Sequence, residues 1–248
     1  MLGGGLLPIV VLLVVMGLAI RTDQQSNDLH PAANQPTIEI IGHQWWWEVH
    51  YTDQNFDTAN EIHIPVGQPV TILLTSADVI HSFWVPELHS KLDMIPGQTN
   101  TMTLQADQPG VYRGQCAEFC GAQHANMAFL VIAEKPDAYQ AWLADQLKSS
   151  VQPQQGSIEQ QGQQAFLGSA CTYCHTIRGT NASGKVGPDL THIASRMTVG
   201  SALLPNSRGN LAGWIMNSQA LKPGNHMPPM DLTADQLQAM LDYFATLK

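Results

Sequence analysis

Gly114-Gln-Cys116-Ala-Glu118-Phe-Cys120-Gly-Ala-Gln-His124-Ala-Asn-Met127 places two thiols, an imidazole and a thioether within the twelve residues from Cys116 to Met127. Soft sulfur donors beside imidazole select copper, whereas a structural zinc site takes four Cys or His ligands and no methionine. A mononuclear blue-copper site needs only one cysteine. Two cysteines four residues apart can instead bridge two copper ions, each capped by one histidine. One electron shared over two rigidly held metals requires little rearrangement on reduction. His81, in Val79-Ile-His-Ser-Phe-Trp84 at the end of an earlier strand, offers a fifth ligand. A disulfide between Cys116 and Cys120, and packing roles for His124 and Met127, are the other readings these residues leave open.

Around this loop the chain is short β-type runs between turn signals: Thr37 to Ile41, Glu61 to Ile64, Val70 to Thr75, Thr99 to Leu104, Gly110 to Gly114 and Ala128 to Ile132. Pro65-Val-Gly-Gln, Ile95-Pro-Gly-Gln and Gln108-Pro-Gly punctuate them, which predicts a sandwich or barrel. A helix follows from about Pro136 to Lys148, then a polar linker from Ser149 to Gln155. Beyond it the texture turns helical. Ser157 with Gln160, and Thr233 with Gln236, have capping-box spacing. Leu237, Met240, Leu241, Phe244 and Leu247 share one face of the last helix, the buried seam of a small helical domain.

That domain carries Cys171-Thr-Tyr-Cys174-His175, a haem-attachment pentapeptide in which both sulfurs become thioethers and the histidine binds iron axially. The alternative, a redox dithiol, lacks the surrounding order: a preceding helix, then Gly187-Pro188-Asp189-Leu190, then Asn225-His226-Met227-Pro228-Pro229 before the last helix.

Composition separates the two halves. Residues 1–150 hold 5 Lys/Arg against 15 Asp/Glu, and residues 151–248 hold 6 against 5. An acidic surface repels nucleic acid and steers basic protein partners, so nucleic-acid binding is not expected. Residues 1–20 carry no charge before Arg21, about the length a bilayer-spanning helix needs. A cleaved signal peptide normally has a basic start and a small-residue cleavage motif. Neither is clear here, so residues 1–21 read as a retained anchor and 22–36, rich in Asn, Asp, Gln and Pro, as an exposed linker.

The first half resembles subunit II of cytochrome c oxidase, on Gly42-His-Gln-Trp-Trp-Trp47, Asp78-Val-Ile-His-Ser-Phe-Trp-Val-Pro-Glu87, Asp93-Met-Ile-Pro-Gly97 and Gly114 to His124. The resemblance implies a cupredoxin-type Greek-key barrel over residues 37–135 that carries the binuclear CuA centre. Its ligands would be His81, Cys116, Cys120, His124 and Met127, with Glu118 giving its backbone carbonyl. The Glu118 side chain matches the family's ligand to a magnesium ion shared with subunit I. Residues 157–248, after a helix and linker at 136–156, resemble small class I monohaem cytochromes c. There the carbonyl of the proline matching Pro188 orients the proximal His175, and Met227 is the sixth iron ligand. Met230, Met216 and Met197 are its rivals, and His226 is an eligible ligand beside it. His30, His43, His50, His63, His89 and His192 are read as surface or hydrogen-bonding residues, with His43 set apart by its place next to the tryptophans.

Together these resemblances imply a multidomain, single-pass protein of the bacterial cell membrane: a transmembrane helix, an all-β copper domain and an all-α haem domain, both outside the cytoplasm. Family members usually have two membrane helices, and this sequence shows one such segment. Electrons would pass from a donor, such as a cytochrome c or a quinol-cytochrome c reductase complex, through haem c and CuA to subunit I, with subunit III completing the complex. No residue here is a candidate for reducing oxygen. A subunit of a CuA-containing nitric oxide reductase and a free-standing electron-transfer protein are the alternatives. In the family the tryptophan matching Trp45 is where electrons enter, at the surface over CuA, ringed by acids that dock a basic cytochrome. At the family's acidic positions this chain has His50, Asn55 and Phe56, and keeps only Asp53. Thinned acids suit a tethered partner, whose linker supplies effective concentration, so the fused haem is expected to dock near Trp45.

Overall fold

A computed structural model of the chain describes residues 2–27 and 35–248. Helix α1 (Leu2–Asn27) is apolar on all sides up to Ile20 and exposed from Gly4 to Gln24, the pattern of a helix that meets no protein core. Gly4–Gln24 is long and apolar enough to cross a membrane. The helix runs past Arg21, because nothing between Gly17 and Asn27 breaks it and the Thr22 hydroxyl donates to the Leu18 carbonyl. The expected linker at 22–36 is therefore helical at its start, and its residues 28–34, with His30, lie outside the described residues.

Ten strands follow: β1 (Thr37–His43), β2 (Trp46–Tyr51), β3 (Phe56–Ala59), β4 (Glu61–Pro65), β5 (Val70–Ser76), β6 (His81–Val85), β7 (His89–Met94), β8 (Asn100–Leu104), β9 (Gly110–Cys116) and β10 (Ala128–Glu134). They form two five-stranded sheets, ordered β3-β2-β1-β5-β8 and β4-β10-β9-β6-β7. Successive side chains on a strand point to opposite faces, so Ile38 and Ile40, Trp47 and Val49, and Ile72 and Leu74 all turn inward. Trp47 fills the centre, edge-on to Phe83 and Phe129. The six expected runs fall on β1, β4, β5, β8, β9 and β10. The other four strands lie in stretches whose tryptophans and histidines stand out as motif, although Trp46–Tyr51 alternates between outward and buried positions along its length.

β9 ends at Cys116 and β10 begins directly after Met127, so the copper-type loop is the connection between two paired strands. β6 lies on the other side of β9, with Phe83 opposite Cys116. His81 thus opens β6, where the sequence suggested the end of a strand, and this register sets it beside the loop.

Helix α2 (Pro136–Gln146) leads into the segment expected as a linker, which is laid against the second domain. The Ser150 amide and hydroxyl both donate to the Arg178 carbonyl, and the Gln152 side chain donates to Gly179. The second domain is built from α3 (Ile158–Leu167), the single turn α4 (Cys171–Cys174), α5 (Arg208–Leu221) and α6 (Ala234–Ala245). Two short strands, β11 (Thr198–Val199) and β12 (Leu204–Pro205), form its only sheet among the described residues. Thr233 and Gln236 cap α6 reciprocally as their spacing predicts. Ser157 accepts from the Gln160 amide, but the Gln160 side chain takes the Gly156 amide instead, so the first box is half formed. Met240, Leu241, Phe244 and Leu247 are buried against Phe166 of α3. Helix α5 carries weak sequence signals, with Gly209 and Gly213 inside it and non-helical backbone at Asn217.

The domains meet over buried polar contacts. Glu61 of β4 accepts from the amides of Met197 and Thr198 and from the Thr198 hydroxyl. Ser201 and Ala128 exchange two hydrogen bonds.

Candidate copper and haem centres

The loop and β6 bring the sulfurs and imidazoles together. Cys116 Sγ lies 3.7 Å from Cys120 Sγ and 3.8 Å from His81 Nδ1, and Cys120 Sγ lies 3.7 Å from both His124 Nδ1 and Met127 Sδ. His81 Nε2 is 2.8 Å from Asp78 Oδ1, an oxygen that can only accept from it when ionised. That bond puts the proton on Nε2 and turns a bare Nδ1 toward the sulfur, the tautomer a metal ligand requires. Burial pulls the His81 imidazole down, but bonds to Cys116 and Asp78 outweigh it and leave it raised. The bond from the Cys120 thiol holds Cys116 well below the ordinary thiol range and pushes Cys120 up. The Glu118 carbonyl oxygen lies 3.2 Å from Cys116 Sγ, so it faces the cluster, while its carboxylate is exposed, 4.0 Å from Lys91 Nζ. Five donors, mixed between soft sulfur and imidazole, with all but the half-buried His124 buried, suit copper. The sequence drew attention to the five donors and left out Asp78, whose i to i+3 spacing from His81 is the signal that it orients the ring.

A largely apolar cavity of about 300 Å³ lies in the second domain, closed on one side by Gln44, Trp45, Trp46 and Asn60 of the first. Cys171, Cys174, His175 and Met227 line it, together with Trp214, Ile215, Met240 and Phe244. His175 Nδ1 is 2.7 Å from the Pro188 carbonyl, which can only accept. The proton therefore sits on Nδ1, and Nε2 is free to bind iron. A Cβ on Gly187 would come within 2.8 Å of the imidazole, so only glycine lets this backbone lie against the ring. Burial holds the His175 imidazole in its neutral, ligating form. Of the four methionines weighed, Met227 and Met230 line the cavity, and Met197 and Met216 do not. The Met227 segment is the more firmly held: its carbonyl accepts from Ser218 and Gln219, and its amide donates to Asn225. All four cysteines are free thiols. A flat apolar slot with two thiols at one edge, an oriented imidazole and a thioether fits a covalently attached haem.

Trp45 lies between the two centres. Its indole N–H donates to the Cys120 carbonyl at 3.0 Å, and its ring lines the haem cavity, 6.4 Å from the ring of His226. It is only 8% exposed, so the tryptophan expected at a free surface is covered by the haem domain. His43 stacks on Trp46 at 4.5 Å and bonds Glu48. His50 and His63 bond Asp57 and Glu134, and His192 bonds two backbone carbonyls.

Lys222 has no signal in the sequence. It is 2% exposed, and Nζ donates to the carbonyls of Trp45, Asn126 and Gly200. Burial pushes its ammonium down to about 7.

These two folds and their sites define a two-domain redox protein, a copper-type β-sandwich joined to a helical haem domain. Residues 54–134 match the family model of the cytochrome c oxidase subunit II periplasmic domain, and residues 159–248 match that of cytochrome c. The chain belongs to the cytochrome c oxidase subunit II family, carries a fused cytochrome c domain, and is a subunit of a haem-copper oxidase. It is 37% identical to cytochrome c oxidase subunit 2 of Alkalihalophilus pseudofirmus over 245 residues, covering 96% of this chain and 70% of the relative. It is 28% identical to that of Bacillus sp. (strain PS3), covering 98% of this chain and 72% of the relative. The crystal structure of the periplasmic domain of subunit II of cytochrome oxidase of Bradyrhizobium japonicum is 32% identical, with a TM-score of 0.44 over 47% of this chain and 95% of that one.

Proposed function

We propose that this subunit receives electrons at a haem c held by Cys171, Cys174, His175 and Met227, and delivers them through Trp45 to a binuclear CuA centre. His81, Cys116, Cys120, His124, Met127 and the Glu118 carbonyl hold that centre. Haem c and the copper pair supply reversible one-electron chemistry when bound. The chain's own residues supply position: Pro188 orients His175, Asp78 orients His81, and Cys116 and Cys120 hold two sulfurs in contact. One observation carries the reading: Trp45 donates to the backbone of Cys120 while its ring lines the cavity that Met227 and His175 also line.

From CuA the electrons go on to subunit I, the oxygen-reducing partner. Glu118 and Phe119, which is 76% exposed, form the face of the copper loop turned away from the protein, where subunit I docks and where the Glu118 carboxylate meets magnesium. Subunit III completes the complex. The apolar Gly4–Gln24 span anchors the chain in the cell membrane with both redox domains on the periplasmic side, and the outside donor is a cytochrome c or a quinol-cytochrome c reductase complex.

A soluble fragment starting at Thr37 should hold two coppers for each covalently bound haem, since every proposed ligand lies beyond that point. Elemental analysis with a pyridine haemochrome assay measures the ratio; one copper, or zinc in its place, sinks the binuclear assignment. Replacing Met227 with Ala should lower the haem potential and leave the thioether links intact, because His/Met ligation raises the potential. Potentiometry that finds no change in Met227→Ala, but a fall in Met230→Ala, assigns the sixth ligand to Met230 instead.

A further inference from the structure

Three segments that the electron route depends on come from distant parts of the chain, and one side chain ties them together. The Lys222 ammonium has three N–H donors, and each finds a different carbonyl: Trp45 at 2.7 Å, Asn126 at 2.8 Å and Gly200 at 3.0 Å. Trp45 is the residue between the centres, Asn126 immediately precedes Met127 of the copper loop, and Gly200 lies in the turn between β11 and β12 of the haem domain. No carboxylate lies within ion-pairing distance of Lys222 among the described residues, so three carbonyl dipoles, helped only by Coulomb attraction to the Cys120 sulfur, hold the charge. A buried ammonium without an anionic partner is costly to keep. A lysine that only packed two domains together could be replaced by an apolar chain of the same length at a gain.

Lys222 also caps the end of α5 and begins the loop segment that carries Met227. The next residue, Pro223, gives its carbonyl to the Gln123 side chain of the copper loop at 2.7 Å. The segment of the proposed sixth iron ligand is therefore bonded at two successive residues to the copper loop on either side of His124.

We propose that Lys222 is a positioning residue for electron transfer: its buried ammonium clamps Trp45 and the copper loop to the Met227 segment, so that the two centres face each other through a permanent contact. The proposal rests on the electron route through Trp45 argued above. The linker's role then lies in folding and assembly, because no search by a loose domain precedes each transfer. The same cation, placed between the centres, favours an electron on either of them by Coulomb attraction in a poorly solvated site.

Lys222→Met, which keeps the aliphatic chain and removes the charge and all three donors, tests this in the full-length subunit assembled in its oxidase. Flash-induced transfer from haem to copper should slow by about tenfold or more, as small misplacements of reacting groups do. Both midpoint potentials should fall, a change that loss of packing alone does not require. Amide exchange should accelerate together in residues 123–127 and 222–227. A variant with parental rate, potentials and exchange overturns the clamp, while haem and copper contents and the effect of Trp45→Ala, which report on the route itself, stay as they were. The parent gives a second test that does not depend on the variant folding. Its transfer rate should be unchanged when viscosity is raised with glycerol, and a rate that falls in proportion to viscosity means the contact forms by search and overturns the proposal.

Discussion

Trp45→Ala is expected to slow transfer from the haem domain to the copper loop by about a hundredfold, the scale at which loss of an aligned contact acts. The indole is both a wall of the haem cavity and a donor to the Cys120 carbonyl, so its removal opens a gap where the cavity and the copper loop share a side chain. In the parent the same transfer should hardly respond to ionic strength. Salt screens exposed charges and acts weakly on buried ones; Glu61 and Lys222 at this interface are 3% and 2% exposed, and the exposed Lys185–Asp57 pair at 3.7 Å is where salt acts. The acids that follow the tryptophan run already have partners: Glu48 bonds His43, Asp57 bonds His50 and pairs with Lys185 of the haem domain, and Asp53 accepts from the Thr37 amide. Flash photolysis over a salt series measures both effects. If salt suppresses the reaction as steeply as it does an encounter between separate proteins, or if the alanine variant keeps the parental rate, the fixed route through Trp45 is wrong.

Gly162→Ala is expected to disable the haem domain and spare the copper domain. Helices α3 and α6 cross at this glycine so closely that an added Cβ would sit 1.9 Å from the Ala239 carbonyl oxygen and 2.4 Å from its carbon. Those are backbone atoms with no rotamer to move aside, so the helices must separate. Overpacking of this kind costs about 3 kcal/mol or more, which in a domain of this size lowers the melting temperature by roughly 10–20 °C. The separation also displaces Phe166, Met240 and Phe244, which line the haem cavity. The copper domain has its own core around Trp47, Phe83 and Phe129, with no residue in common with that of the haem domain. Calorimetry should show the haem domain's transition shifted down and copper binding retained. A shift of only a degree or two would mean that the helices do not cross this closely.

Much of the site was legible before any coordinates because its chemistry is local in sequence. Four of the copper donors lie on one loop and three of the haem-binding groups in one pentapeptide, where residue type and spacing together name the ligand field. Short β-type runs between turn signals likewise marked β1, β5 and β10. β2 and β6 are masked in the sequence because their tryptophans and histidines read as signature, although β2 buries every second residue. Helix α5 went unseen because its glycines and the break at Asn217 interrupt the apolar repeat.

Taken by itself, the sequence determined the two domain types, the donor atoms and the family, since each of these rests on which residues stand within a few positions of one another. Tertiary structure alone decided the rest. It chose the tautomers of His81 and His175 through Asp78 and Pro188, and of the four candidate iron-ligand methionines it brought only Met227 and Met230 to the cavity. It covered Trp45 with the haem domain, and it buried Glu61 and Lys222 against backbone groups 136 and 177 residues away in the chain. A buried charge is held by the carbonyls and amides that surround it. Every residue has those groups, so no pattern of side chains announces where a lysine such as Lys222 will find three of them.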